Sequence, residues 1–363
     1  MTMSSSLFTP ASSSEAAKYQ AILQSKIADG ARRAGAVIQE IHTSQPTDRI
    51  VPTKKIGFEP AEGGIVMTAG SDVSLVPSAY ALGQVAAKAG VPADYMRKLA
   101  AGDDWQRALA GDILTRHFHN GDAERALVRS VGGQMRGFLS DRFRRLDSRP
   151  LVDALAASAQ KYGALPIDGV ATETRVALKI LIPQIAEPMP GEFMVYGAEW
   201  SNSDYGNGTH SLRTFALRVV CLNGMTRENL MRQIHLGGRL DENITFSERT
   251  YALDTRASVS ALSDVVRLAL GPGAVDRMNE VVRASHAKTL SEAQLRAATK
   301  NLPKKTQESV VNAFKSEDVI NLPAGQTAWR GSNAVSWIAR HTEDAEARLD
   351  LERLAGEMTA KKN

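Results

Sequence analysis

Between Arg125 and Arg149 the chain carries seven arginines and no lysine, against only Asp141 and Asp147. Guanidinium groups at this density suit phosphate recognition. Each planar fork meets a pair of phosphate oxygens and its face stacks on a base, which an ammonium group cannot do. Arg129, Arg136, Arg142, Arg144 and Arg145 are the candidates within the run. The segment also holds Phe138, Leu139, Phe143 and Leu146, which read as core anchors, so carboxylates of the fold are expected to take up part of the charge. A second basic stretch, residues 283–315, sets seven basic residues against Glu292 and Glu308 and offers Lys304 and Lys305 as outer contacts. Arg213 and Arg227 extend the set, and Tyr205 supplies a ring on which a base can stack.

Other chemistry has weaker signals. The chain has no GxxxxGK[ST] phosphate loop, no GxSxG elbow and no HExxH zinc helix, so no catalytic residue, cofactor or metal is expected. His117 and His119 stand two apart in TRHFHNGD and would share a face in a strand. Glu199, Asp204 and His210 surround a Ser/Asn/Gly-rich connection and could hold a divalent cation for phosphodiester cleavage, but turn composition explains them equally well. Cys221, the only cysteine, reads as a small buried residue in VVCLNG; it excludes an intrachain disulfide and a cysteine zinc cluster, which fits a reducing cytoplasm.

The elements that must position these groups follow from length and pattern. A chain of 363 residues with 43% hydrophobic content can bury a core, and its net charge of +4 permits a polyanionic partner without demanding one. No apolar run approaches membrane length, and the N-terminus lacks a secretory pattern. After a Ser-rich start, residues 15–41 follow a helical stripe that Gly30 or Gly35 is expected to break. A hairpin is expected around Glu62-Gly63-Gly64, followed by a helix capped by Ser78 and another opened by Pro92. A further helix covers Leu151 to Tyr162.

Alternation between Ala171 and Ile182 predicts a half-buried strand with Arg175 and Lys179 on its polar side. Two antiparallel strands flank Ser201 to Thr209. In the second, Arg218 falls on a partly apolar face and needs a carboxylate or carbonyl partner, whereas Arg213 is the better surface candidate. Beyond Thr255 the pattern is helical, with a capping box at Ser291 and Gln294 and a tail that buries Trp329 and Trp337 against the body or a neighbouring subunit. The organisation reads as α+β: residues 1–48 a flexible Ser-rich segment and helical arm, 49–254 the α+β core, and 255–363 a helical C-terminal region.

Three blocks, FLSDRFRRLDS from Phe138, WSNSDYGNGTHSL from Trp200 and LRVVCLNGM from Leu217, resemble a family of phage- and plasmid-related proteins. It is known chiefly as a domain of unknown function, number nine-three-two in that series. The earlier AYALGQVAAKAGVPADYMRKL and the late TAWRGSNAVSWIARH belong to the resemblance, which covers the chain from about Lys54 onward and leaves out the N-terminal arm. It implies a mobile-element protein in a bacterial host cytoplasm and, by distant analogy, a recombination mediator that anneals single strands. The core of such mediators is a curved antiparallel sheet backed by helices and assembled into rings. The expectation is therefore a non-catalytic, homo-oligomeric protein that binds and anneals single-stranded DNA. The alternative is a protein-interaction or anti-defence factor whose basic surface docks an acidic partner.

Overall fold

A single helix, α1 (Ser13–Thr43), opens the described chain; the structure, a computed structural model, describes residues 13–233, 247–317 and 321–359. The expected break at Gly30 or Gly35 does not occur. Gly30 is buried because α1 lies directly on a strand: a side chain there would collide with the Ile167 carbonyl, and one at Gly169 would meet the Ala34 backbone. Gly35 faces open space.

The chain then builds a six-stranded sheet from β1 (Thr47–Pro52), β2 (Ile56–Ala61), β3 (Gly64–Ala69), β4 (Ser74–Pro77), β5 (Arg125–Val131) and β6 (Gln134–Ser140), in the order β1-β5-β6-β4-β3-β2. All pairings are antiparallel except β4 with β6. The two edge strands are neighbours in sequence, joined by Thr53–Lys55 alone. Laid flat, the edges would stand about 24 Å apart at about 4.8 Å per strand, while the link from Pro52 to Ile56 reaches at most about 14 Å. The sheet must therefore curl. Three helices, α2 (Ala79–Lys88), α3 (Ala93–Ala100) and α4 (Asp104–Asn120), pack with it around Phe58, Met67, Phe118 and Phe138, with Ser78 capping α2 as the sequence predicts. His117 and His119 lie on α4 and not in a strand, and residues two apart on a helix do not face each other.

After α5 (Ser148–Gln160), a second, all-antiparallel sheet forms from β7 (Leu165–Ala171), β8 (Val176–Leu181), β9 (Ala186–Met189), β10 (Glu192–Asn202), β11 (His210–Arg218) and β12 (Asn223–Gln233), in the order β12-β11-β10-β8-β7 with β9 on β10. Helices then follow: α6 (Glu248–Leu270), α7 (Ala274–Ala287), α8 (Glu292–Ala298), α9 (Lys304–Lys315), α10 (Ala328–Arg340) and α11 (Ala345–Met358). Ser291 and Gln294 form the expected capping box of α8. Every residue of β10 is buried because helices cover both faces of this sheet. Phe193 and Val195 meet Leu23 of α1, while Ala198 and Trp200 meet α5 and α6. The strand expected to be half-buried, β8, is likewise buried on both faces from Ala177 to Leu181, Lys179 included. Trp329 is buried against the body of the same chain, among residues of α7, α9 and α11. The chain is α+β, as the sequence predicts. No helix among the described residues is long and apolar enough to cross a membrane.

Candidate nucleic-acid interface

The two sheets meet where the arginine run and the Ser201–Thr209 connection touch. Arg129, on β5, is fully buried, and its guanidinium bonds Asp48 at 2.7 Å, Asp147 at 2.6 Å and the Asp204 carbonyl at 2.6 Å. Desolvation works against its charge, but Asp147 and Asp48 together outweigh that and raise its pKa. Asp204 in turn accepts from the Ser148 backbone N–H at 3.0 Å and hydroxyl at 2.7 Å, tying the connection to the start of α5. Asn202 donates to the Leu146 carbonyl at 2.9 Å, and Gln84 of α2 donates to the Tyr205 carbonyl at 2.8 Å. Burial, followed by the nearby charge of Asp147, pushes the Asp204 carboxyl up to about 6.

This joint corrects the sequence expectation for Arg129, whose guanidinium is enclosed between carboxylates and does not reach solvent. Arg144 is corrected in the same way. It is 6% exposed and grips Asp254 of α6 with two nitrogens while donating to Ser258 at 2.7 Å. Arg145 pairs with Glu248 at 2.9 Å and Asp48 at 3.4 Å and lies over the Tyr251 ring. Arg136 stacks its guanidinium 5.3 Å from the centre of the Tyr205 ring and donates to the Glu173 carbonyl, so the ring expected to receive a base already carries an arginine. Arg142 is half-buried on the loop after β6, and Lys304 and Lys305 are exposed in the first turn of α9. The run is thus divided among separate partners. Glu199, Asp204 and His210 are not brought into one metal-binding group among the described residues.

The second sheet holds an arrangement that composition did not reveal. Asp168 on β7, Lys179 on β8, Glu199 on β10 and Arg213 on β11 stand directly opposite one another across four neighbouring strands, a row of alternating charge. Helix α11 covers it: Glu352 pairs with Lys179, and Arg353 approaches Glu199 at 3.4 Å. Desolvation opposes the buried Lys179 charge, yet Glu352, Glu199 and Asp168 outweigh it and keep the group cationic.

Glu199 directs its oxygens to Thr226 at 2.9 Å, to Arg353 and to Lys179 at 4.0 Å. Arg213 is left over. It makes no ion pair among the described residues, and its Nη1 is buried without a hydrogen-bond partner. Burial first, and Arg353 second, lower its pKa against the opposing pull of Glu199 and Glu357, with Arg175 a weaker like charge; Arg175 itself pairs with Glu346 and lies 3.7 Å from Asp350. Arg227, on β12, donates to the Thr359 carbonyl at 3.4 Å.

Sequence reasoning named Arg213 and Arg227 but missed the supporting Arg175 and Arg353. Alternation placed Arg175 beside Lys179, while Arg353 lies in a helix whose docking site had no local signal. No family model, curated protein or solved structure matches the chain.

Proposed function

We propose that this protein binds single-stranded nucleic acid, DNA in the first instance, without catalysing a reaction on it, through the half-buried Arg213 at the end of the row that α11 covers. The observation supporting this reading is Arg213 itself, a guanidinium beside Arg175 and Arg353 with no ion pair among the described residues. A partly buried arginine with an unmet donor and no carboxylate in ion-pair reach among the described residues can take up an incoming anion, and a phosphate oxygen pair matches its fork. The resemblance of three blocks of the sequence to phage- and plasmid-related proteins is in keeping with strand binding.

The test is fluorescence anisotropy with labelled single-stranded and duplex oligonucleotides, at low and near-physiological salt and without added metal. The expected result is preference for the single strand, with a log–log salt slope of roughly −0.7 per phosphate contacted. Arg213→Ala is expected to weaken binding about tenfold and flatten the slope by about one such contact. An absence of binding, or a folded Arg213→Ala protein with undiminished affinity, sets this reading aside.

A second reading, docking of a protein partner, is favoured by α4. Trp105 is 65% exposed and Leu109, one turn on, is 37% exposed, an apolar pair on a solvent-facing side. Capture of a partner that depends on Trp105, by a protein with no affinity for oligonucleotides, would select it.

A further inference from the structure

The turn between β11 and β12 and the end of α10 enclose an open pocket of about 370 Å³, of the size that small-molecule sites occupy. Its wall is rigid. Leu222 (φ 54°) and Asn321 (φ 70°), which both line it, are the two non-glycine residues with positive φ among those described. A leucine there costs on the order of 1 kcal/mol and persists only where its surroundings fix it. Arg218 ties its neighbours together: held by Glu192 at 2.6 and 2.9 Å, it donates to the Asn321 carbonyl and to the Cys221 sulfur at 3.6 Å.

The other wall supplies recognition chemistry. The Trp337 and His341 rings lie 4.5 Å apart, one on the last turn of α10 and the other on the residue that caps it, with His341 Nδ1 2.8 Å from the Trp337 carbonyl. Arg340, between them in sequence, is exposed, donates to the Cys221 carbonyl and pairs with no carboxylate among the described residues. An aromatic surface and a guanidinium with no carboxylate partner among the described residues therefore face one preformed cavity.

We propose that this pocket binds a small planar aromatic ring carrying one anionic group, the ring against Trp337 and His341 and the anion on Arg340. Such a ligand is either a nucleoside monophosphate or an aromatic carboxylate. The pocket shares no residue with Arg175, Arg213 and Arg353, so this inference stands or fails separately from strand binding.

Fluorine NMR of the full chain labelled with 5-fluorotryptophan reads the site directly, because the four tryptophans give separate signals and Trp337→Phe identifies one of them. Adenosine 5′-monophosphate and phenylacetate are titrated in turn. The expected result is a saturable shift of the Trp337 signal by one or both probes, with a Kd of roughly 1 mM or tighter, weakened about tenfold or more in Arg340→Ala. A response to the nucleotide alone identifies a phosphate ligand, and a response to phenylacetate alone a carboxylate. The unchanged positions of the other three signals report that the variant is folded, and Arg340→Lys, which keeps the charge, is expected to retain part of the affinity. If neither probe moves the Trp337 signal, or if Arg340→Ala binds as well as the parent protein, the proposal is overturned.

Discussion

Arg144 and Arg149 are five residues apart and chemically identical, yet the fold gives them opposite circumstances. Arg144 is enclosed by Asp254 and Ser258, whereas Arg149 is exposed at the start of α5. Truncating Arg144 would leave the Asp254 carboxylate, 22% exposed, without its cation, and removing one partner of such a pair costs about 3–5 kcal/mol. Arg144→Ala is therefore expected to lower the urea midpoint strongly, while Arg149→Ala stays within about 0.5 kcal/mol of the parent. Equal midpoints for the two variants would refute the structural assignment of Arg144. Arg218 is the converse case, legible in advance. Strand alternation put it on an apolar face, burial there demanded a carboxylate or carbonyl, and the structure supplies both in Glu192 and the Asn321 carbonyl. Sequence reasoning gave the requirement, and the strand pairing selected the partner.

Glycines within a helical stripe read as breaks because each costs about 1 kcal/mol relative to alanine. In α1 that cost is offset at Gly30, where the missing side chain lets the helix lie against the β7 backbone, and it is not offset at Gly35. The two positions should respond in opposite directions. Gly30→Val is expected to push α1 off β7 and destabilise the protein by about 1–3 kcal/mol, and Gly35→Ala to stabilise it by up to about 1 kcal/mol, both read from unfolding curves. A stable Gly30→Val protein would show that α1 does not need this close approach. The charged row on β7, β8, β10 and β11 belongs to the same scale. Each strand displayed its own alternation, but the row exists only because register aligns Asp168, Lys179, Glu199 and Arg213.

At the scale of the whole molecule, the joint between the sheets rests on Asp204, whose carboxyl is pushed up to about 6 by burial and by Asp147. The unfolded chain releases this proton near pH 4, so between about pH 4 and 6 the native state binds more protons and stability falls as pH rises. Above that window the folded protein carries a buried carboxylate at a cost on the order of 2–3 kcal/mol. Asp204→Asn keeps an acceptor for Ser148 and removes the titration. It is expected to gain on the parent protein at pH 7 and lose that advantage near pH 4, as measured by denaturant unfolding at the two pH values. A variant with the same pH dependence as the parent would place the titration elsewhere. The joint also unites distant parts of the chain: the FLSDRFRRLDS and WSNSDYGNGTHSL blocks meet there through Asn202, Asp204, Leu146 and Ser148.

The sequence by itself determined the α+β class, the capped helices at Ser78 and Ser291 and the antiparallel strands either side of residues 201–209, because each depends on residues within a few positions of one another. Which arginines remain available to a ligand was decided by tertiary structure alone. Arg129 meets Asp48 across 81 residues of chain and Arg144 meets Asp254 across 110. An ion pair depends on a separation of about 3 Å in space, and spacing along the chain carries no information about that distance until the sheets and helices have packed.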